Sequence, residues 1–273
     1  MMATRVCRAV LLAALVAIVV PAESQAQQKP FEPSVGQAGK DVVWVPTPQE
    51  LVEKMLDMAK VTPQDFVMDL GSGDGRNIIA AAKRGATAIG VEFNPEMVEL
   101  SRRMATEAGV AGKAQFVEGD MYEADISKAS VLALFLLPQN LEKLRDKFMA
   151  LKPGTRIVLN TFAIPGWEPD ETERITGSCS SWCTSMLNTV PAQVAGIWQF
   201  VGGQATIAQE FQKITGTVLV NDAATPLEGR LHGEEITFKA GATQYTGRVN
   251  GHQISGVAMG ASAQNWTATR VAP

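Results

Sequence analysis

At 273 residues, with 46% hydrophobic and 19% charged residues, the chain has the composition of a globular protein with room for one large domain and a small one. A net charge of −4 and no long basic run leave no electrostatic footprint of a nucleic-acid binder, so no nucleic-acid partner is expected. Residues 1–27 are set aside before any fold reasoning. Arg5 and Arg8 precede an apolar run over residues 9–20 that is too short for a membrane span, Pro21 ends it, and Ser24-Gln25-Ala26 resembles a small-residue cleavage site. This reads as a secretory signal peptide and places the mature chain outside the cytoplasm or in the periplasm. The rival reading is an uncleaved anchor that keeps the domain near a membrane. Residues 28–40, rich in Gln, Pro and Gly, read as a flexible lead-in.

Pro46 and Pro48 impose an extended segment around Trp44, after which Thr47 can cap a helix with Pro48 at its first position. Leu51, Val52, Met55, Leu56 and Met58 then recur at helical spacing. A buried strand follows, ending in Asp69, and then a glycine-rich turn, Gly71-Ser72-Gly73-Asp74-Gly75, that opens an alanine-rich helix. Strand, glycine turn and helix form the opening of a nucleotide-binding βαβ unit.

What the turn lacks selects the nucleotide. A dinucleotide fingerprint needs a third glycine where Arg76 stands, and Asp74 would repel a pyrophosphate. Asp69 and Asp74 suit a ligand with positive charge, such as the α-amino group and sulfonium of S-adenosylmethionine. Glu92 closes a second strand over residues 88–92, at the spacing where an acid holds a ribose diol.

Strand and helix go on alternating: a helix over 95–108, a strand over 115–121 containing Asp120, and an unbroken apolar run over 130–137 expected as a strand buried on both faces. A helix over 138–151 and a strand over 156–162 follow. The pattern is an α/β fold with a Rossmann-like, mostly parallel sheet covered by helices on both faces. Domain limits are expected at 41–194 for this part and 195–273 for a small antiparallel β domain. In the latter, residues 229–237 and 247–255 form a near-repeat, with Asn250-Gly251 and His232-Gly233 as hairpin turns. Trp198, Phe200 and Trp266 are expected in its core. Cys179 and Cys183 could pair in an oxidising compartment, closing a loop too small to stabilise the fold much, or remain free thiols. Cleavage would remove Cys7, so the mature chain has only these thiols, His232 and His252 as soft ligands, and no metal site is expected.

Val45-Pro46-Thr47, the segment 69–76, Gly90-Val91-Glu92-Phe93-Asn94-Pro95 and Pro165-Gly166-Trp167-Glu168-Pro169-Asp170 together give a narrower likeness. The chain resembles class I S-adenosylmethionine-dependent methyltransferases, in particular the mitochondrial protein-lysine methyltransferases of the ATP-synthase c-subunit and adenine-nucleotide-translocase group and their bacterial homologues. The resemblance implies a seven-stranded sheet with its last strand antiparallel, for which residues 186–194 are available, and a protein lysine as methyl acceptor. It implies that Asp69 and Gly71, Ser72, Gly73, Asp74 and Gly75 surround the methionine moiety, that Glu92 accepts from the ribose hydroxyls, and that Asp120 receives the adenine amino group beside Met121. Asp120 as a turn aspartate, and Arg76 paired with an acid, are the alternatives. The family carries an apolar segment where Leu137-Pro138-Gln139 stands, so Phe135, Pro138 and Gln139 are expected as a gate around the target amine. Two other functions stay open: a small-molecule methyltransferase, and a non-catalytic exported binding protein that retains the nucleotide fold.

Overall fold

The computed structural model describes residues 31–177 and 179–271, so the expected signal peptide lies outside the described residues. Four helices and fifteen strands are found among them: α1 (Gln49–Met58), β1 (Phe66–Leu70), α2 (Arg76–Lys83), β2 (Thr87–Glu92), α3 (Pro95–Glu107), β3 (Ala114–Glu118), β4 (Val131–Leu134), α4 (Pro138–Met149), β5 (Arg156–Asn160), β6 (Glu171–Arg174) and β7 (Thr184–Thr189), then β8 (Gly196–Phe200), β9 (Gly203–Glu210), β10 (Lys213–Val220), β11 (Ala223–His232), β12 (Glu235–Ala240), β13 (Thr243–Asn250), β14 (Gln253–Met259) and β15 (Ala263–Arg270). The first seven strands make one sheet in the order β3-β2-β1-β4-β5-β7-β6. Pairing is parallel from β3 to β5, and β7 runs antiparallel to both neighbours. The expected seven-stranded sheet is therefore present, with its antiparallel strand over 184–189 rather than 186–194.

Alternate side chains of each strand feed two cores, as the period of two requires. Val67, Ala88, Val131, Ala133 and Val158 face α1, α2 and α3, while Met68, Leu70, Leu132, Leu134, Ile157 and Leu159 face α4. Helices thus cover both faces. The apolar run at 130–137 is a strand only through Leu134; Pro138 opens α4 and forces Leu137 into an extended conformation (ψ 155°), which turns the chain away from the sheet. Thr47 does not cap α1. Pro48 stands at the cap position without a side-chain hydrogen bond, and the Thr47 hydroxyl is buried, accepting from Asn160 Nδ2 at 3.1 Å. Gly36 and Gln37, read from composition as lead-in, bond back to Trp44: the Gly36 N–H donates to the Trp44 carbonyl at 2.9 Å, and the Trp44 N–H donates to the Gln37 carbonyl at 2.8 Å.

The last eight strands close a barrel in the order β10-β11-β12-β13-β14-β15-β8-β9, every pair antiparallel. Strict alternation fills it: Ile236, Phe238 and Ala240 of β12 (Glu235–Ala240) point inward with Trp198, Ile207 and Leu231. Trp266 packs edge-on to Phe238 and Tyr245. In both hairpins of the near-repeat the turn lies one residue later than Asn-Gly and His-Gly suggest. His232 pairs with Glu235 and Asn250 with Gln253, leaving Gly233 and Gly251 at the first central positions with positive φ.

The Trp167-Glu168-Pro169-Asp170 segment joins sheet to barrel. Trp167 is buried and stacks on Phe211 at 5.4 Å, and the Glu168 carbonyl accepts from Gln212 Nε2 at 2.7 Å and Asn188 Nδ2 at 3.1 Å. Asp170, half-buried but with its side chain only 8% exposed, accepts from the Thr189 N–H at 2.7 Å and from Arg230 at 3.2 Å. Asp170→Ala leaves the Thr189 N–H unpaired, and the expected loss is about 1–3 kcal/mol in denaturant unfolding, with the barrel transition shifted most.

Candidate active site

One cavity opens beyond the carboxyl ends of β1, β2 and β4, where ligands bind in open α/β sheets. Its floor is the glycine turn. Gly71 (φ +73°) and Ser72 both donate backbone N–H groups to the Val91 carbonyl, at 2.8 and 3.0 Å, which ties the turn to β2. Gly73 (φ +56°) lies so close to Trp44 that an added Cβ would stand 2.9 Å from the indole. Gly75 does not line the cavity. It sits at φ +80° against Phe116, where a Cβ would fall 2.5 Å from the ring, so it lets α2 approach the sheet.

Glu92 is held by the backbone on both oxygens. Oε2 accepts from the Gly73 N–H and Oε1 from the Asn94 N–H, each at 2.9 Å, and each oxygen keeps lone-pair capacity toward the cavity. Two acceptors fixed side by side suit a vicinal diol. Asp69 is buried and accepts from Asn77 Nδ2 at 2.9 Å. Burial first, and then the nearby Glu92 and Asp74 carboxylates, hold its pKa well above the usual carboxylate range, against the Asn77 hydrogen bond. Asp74 lines the cavity, but its carboxylate is engaged by Arg76 Nε at 2.9 Å, and Arg76 also donates to the Thr47 carbonyl at 2.6 Å. The acid-pairing alternative for Arg76 is the one found, and the charge expected of Asp74 toward a ligand is largely neutralised.

Asp120 lines the far end with Met121. It accepts from the Tyr122 N–H at 2.8 Å, as a turn aspartate does, and is ion-paired with Lys40. The Lys40 hydrogen bond is the main reason its pKa lies below the ordinary value. Of the expected gate, Phe135 lines the cavity, whereas Pro138 and Gln139 belong to the first turn of α4 and do not. Leu136 and Leu137 take their place. Sequence reasoning passes over Trp44, Asn77, Phe93, Met97, Phe162 and Trp182, all of which line the cavity. The Asp69–Asn77 pair has a sequence signal, since a polar side chain inside the alanine-rich first turn of α2 needs a partner.

The site fits a cationic nucleoside on its own chemistry. Asp69 and Glu92 are brought to one pocket without an ion-pair partner among the described residues, and the buried Ser72 Oγ and Asn77 Oδ1 have no hydrogen-bond partner there. Known proteins agree. The model of the ANTKMT methyltransferase domain matches residues 69–171. A protein-lysine N-methyltransferase from Saccharolobus islandicus is 45% identical over 137 residues, which is 49% of this chain and 85% of that protein. The lysine N-methyltransferase of the ATP-synthase c-subunit from Mus musculus is 38% identical over 130 residues, which is 47% of this chain and 52% of that protein. A crystal structure described as an RNA methyltransferase from Salinibacter ruber in complex with S-adenosyl-L-homocysteine shares 43% identity, covers 55% of this chain and 96% of that one, and superposes with a TM-score of 0.51.

Fold, cavity and likenesses define an S-adenosylmethionine-dependent methyltransferase. The matched stretch stops before the barrel, which lies outside the likeness. The chain belongs to the ANTKMT methyltransferase-domain family.

Because the folded-state pKa of Asp69 is raised, the ligand-free fold binds more protons than the unfolded chain above the unfolded value of about 3.9. The stability linked to this group is full below that value and is lost as pH rises through the raised one. A cationic donor pulls the pKa back down, so its binding releases a proton at pH values between the donor-bound and the ligand-free pKa. Asp69→Asn should therefore raise the melting temperature of the ligand-free protein at neutral pH while weakening donor binding. Calorimetry in buffers of different ionisation enthalpy should show proton release for the wild type and none for the variant.

Proposed function

We propose that this methyltransferase acts on lysine side chains of a protein. The observation that carries the reading is the two-sided cavity: backbone-clamped Glu92 and buried Asp69 at one end, and Phe135, Leu136, Leu137, Phe162 and Trp182 at the other. The bound donor supplies a methyl group on a sulfonium, already a good leaving group, so alignment and exclusion of water are what the protein adds. A lysine ammonium must lose its proton before it attacks, and an apolar wall lowers its pKa toward the neutral amine. The lysine acceptors named for the archaeal and mammalian relatives support the same class. Phe135-Leu136-Leu137-Pro138 also lacks the asparagine that amino-group methyltransferases of nucleobases and glutamine amides carry there.

The description of the Salinibacter relative makes RNA the second reading. A net charge of −4 argues against it, since phosphate contacts dominate nucleic-acid affinity. The deciding experiment incubates the purified protein with labelled donor and, separately, a membrane-protein extract, total RNA and small metabolites. Label on lysine, located by mass spectrometry and lost with Glu92→Ala, is the expected result; label confined to RNA or metabolites overturns the reading, and no label anywhere with intact donor binding leaves the binding-protein alternative.

We further propose export through the amino-terminal segment. The Cys179–Cys183 disulfide supports it, because such bonds persist in oxidising compartments. Fusing residues 1–30 to alkaline phosphatase should give activity in whole cells; an inactive fusion of normal abundance refutes export.

A further inference from the structure

Three rings meet at the end of the cavity away from Asp120. Phe135 follows β4, Phe162 follows β5 and Trp182 precedes β7, so connections from three neighbouring strands bring them together. Their centroids form a near-equilateral triangle, 6.2 Å for Phe135–Phe162, 5.7 Å for Phe135–Trp182 and 5.6 Å for Phe162–Trp182. They pack on one another as a wall rather than standing apart as a cage, with Trp182 still 39% exposed. Trp182 holds φ at +59°, a left-handed conformation that a residue with a bulky side chain adopts only when its surroundings impose it.

What imposes it is on either side. Cys183 is 3% exposed and packs in the core under the sheet, Cys179 packs against the same core, and the bond between them closes a loop around Trp182. A loop this short removes little entropy from the unfolded chain, so global stability is a weak reason for the bond. Fixing one side chain over a cavity is a stronger one. The exposed faces of aromatic rings attract cations, and methylated ammonium groups above all, because their hydration is weak enough to give up.

We propose that Trp182, presented by the Cys179–Cys183 loop and backed by Phe135 and Phe162, is the acceptor-recognition residue of this enzyme: it packs on the aliphatic amine of the substrate and binds the methylated ammonium of the product over its ring face. The inference rests on the lysine reading for its ligand and adds to it the residue that selects the ligand. It assigns the disulfide to substrate recognition.

The test uses the oxidised full-length protein with S-adenosyl-L-homocysteine bound, titrated by NMR with n-butyltrimethylammonium, alongside steady-state methylation of a lysine peptide or protein acceptor. Trp182→Ala should weaken binding of the cation about tenfold and raise the acceptor KM by a similar factor, with donor affinity little changed. Trp182→Phe should recover most of both. A Cys179→Ala/Cys183→Ala variant, folded and donor-binding, should reproduce the Trp182→Ala defect although the tryptophan is retained. Equal cation binding by wild type and Trp182→Ala overturns the inference whatever the acceptor proves to be. Cation binding that depends on Trp182 in a protein that methylates no lysine upholds it and refutes the lysine reading instead.

Discussion

The arrangement depends on a concentration of negative charge that the protein leaves uncompensated. The parallel register of β1 and β2 sets Asp69 beside Gly90, and the end of β2 brings Glu92 over the glycine turn. Two carboxylates facing one cavity, one of them fully buried, are unfavourable by themselves, and the raised pKa of Asp69 is the mark of that cost. The turn contributes backbone N–H groups rather than a lysine or arginine: Gly73 and Asn94 fix the Glu92 oxygens without cancelling their charge. Where a cation is supplied, at Asp74 by Arg76, its second hydrogen bond goes to Thr47 and pins the Val45-Pro46-Thr47 segment across the turn. One acid thus holds the site's architecture while the other two remain for a cationic ligand.

The same economy appears at the joint with the barrel. Trp167-Glu168-Pro169-Asp170 lies inside the stretch shared with the family, yet its side chains meet Phe211, Lys213 and Arg230 of the barrel and its Glu168 carbonyl accepts from Gln212. A segment that helps identify the family therefore serves here as the seat of a β-barrel outside the likeness. The fit is largely polar at its edges and aromatic at its centre, so the two parts hold a fixed relation through Trp167 and Asp170.

Much of this is legible in the sequence, because the relevant signals are local. The glycine turn, Glu92 and the strand–helix alternation each depend on residues a few positions apart, where backbone conformation and periodicity speak directly. Boundaries follow less well. The run from Ser130 to Leu137 is uniformly apolar, and hydropathy alone does not reveal that Pro138 bends the chain after Leu134 and moves the cavity lining from Pro138 and Gln139 to Leu136 and Leu137. The hairpin turns slip by one residue for a related reason: Asn-Gly is a strong local signal, but the inward positions of Leu231, Ile236, Val249 and Ile254 decide the register. Phe162 and Trp182 are not legible as site residues at all, since their partnership with Phe135 is created by strand order, a long-range property.

The two ends of the cavity use opposite means on two cations, one centred on sulfur and one on nitrogen. At the glycine turn, buried Asp69 and backbone-clamped Glu92 favour positive charge and so position the donor, whose sulfonium is a permanent cation that gives up its methyl group readily. At the aromatic wall, low polarity disfavours a primary ammonium, so the acceptor is driven toward the neutral amine whose lone pair can attack. Each new methyl group weakens the hydration of the product cation, which strengthens its contact with ring faces as it weakens its ties to water. A wall of rings next to an acidic donor site therefore favours retention of a partly methylated side chain over an unmodified one, and a loop closed by a disulfide keeps that preference independent of the flexibility of the surrounding connections.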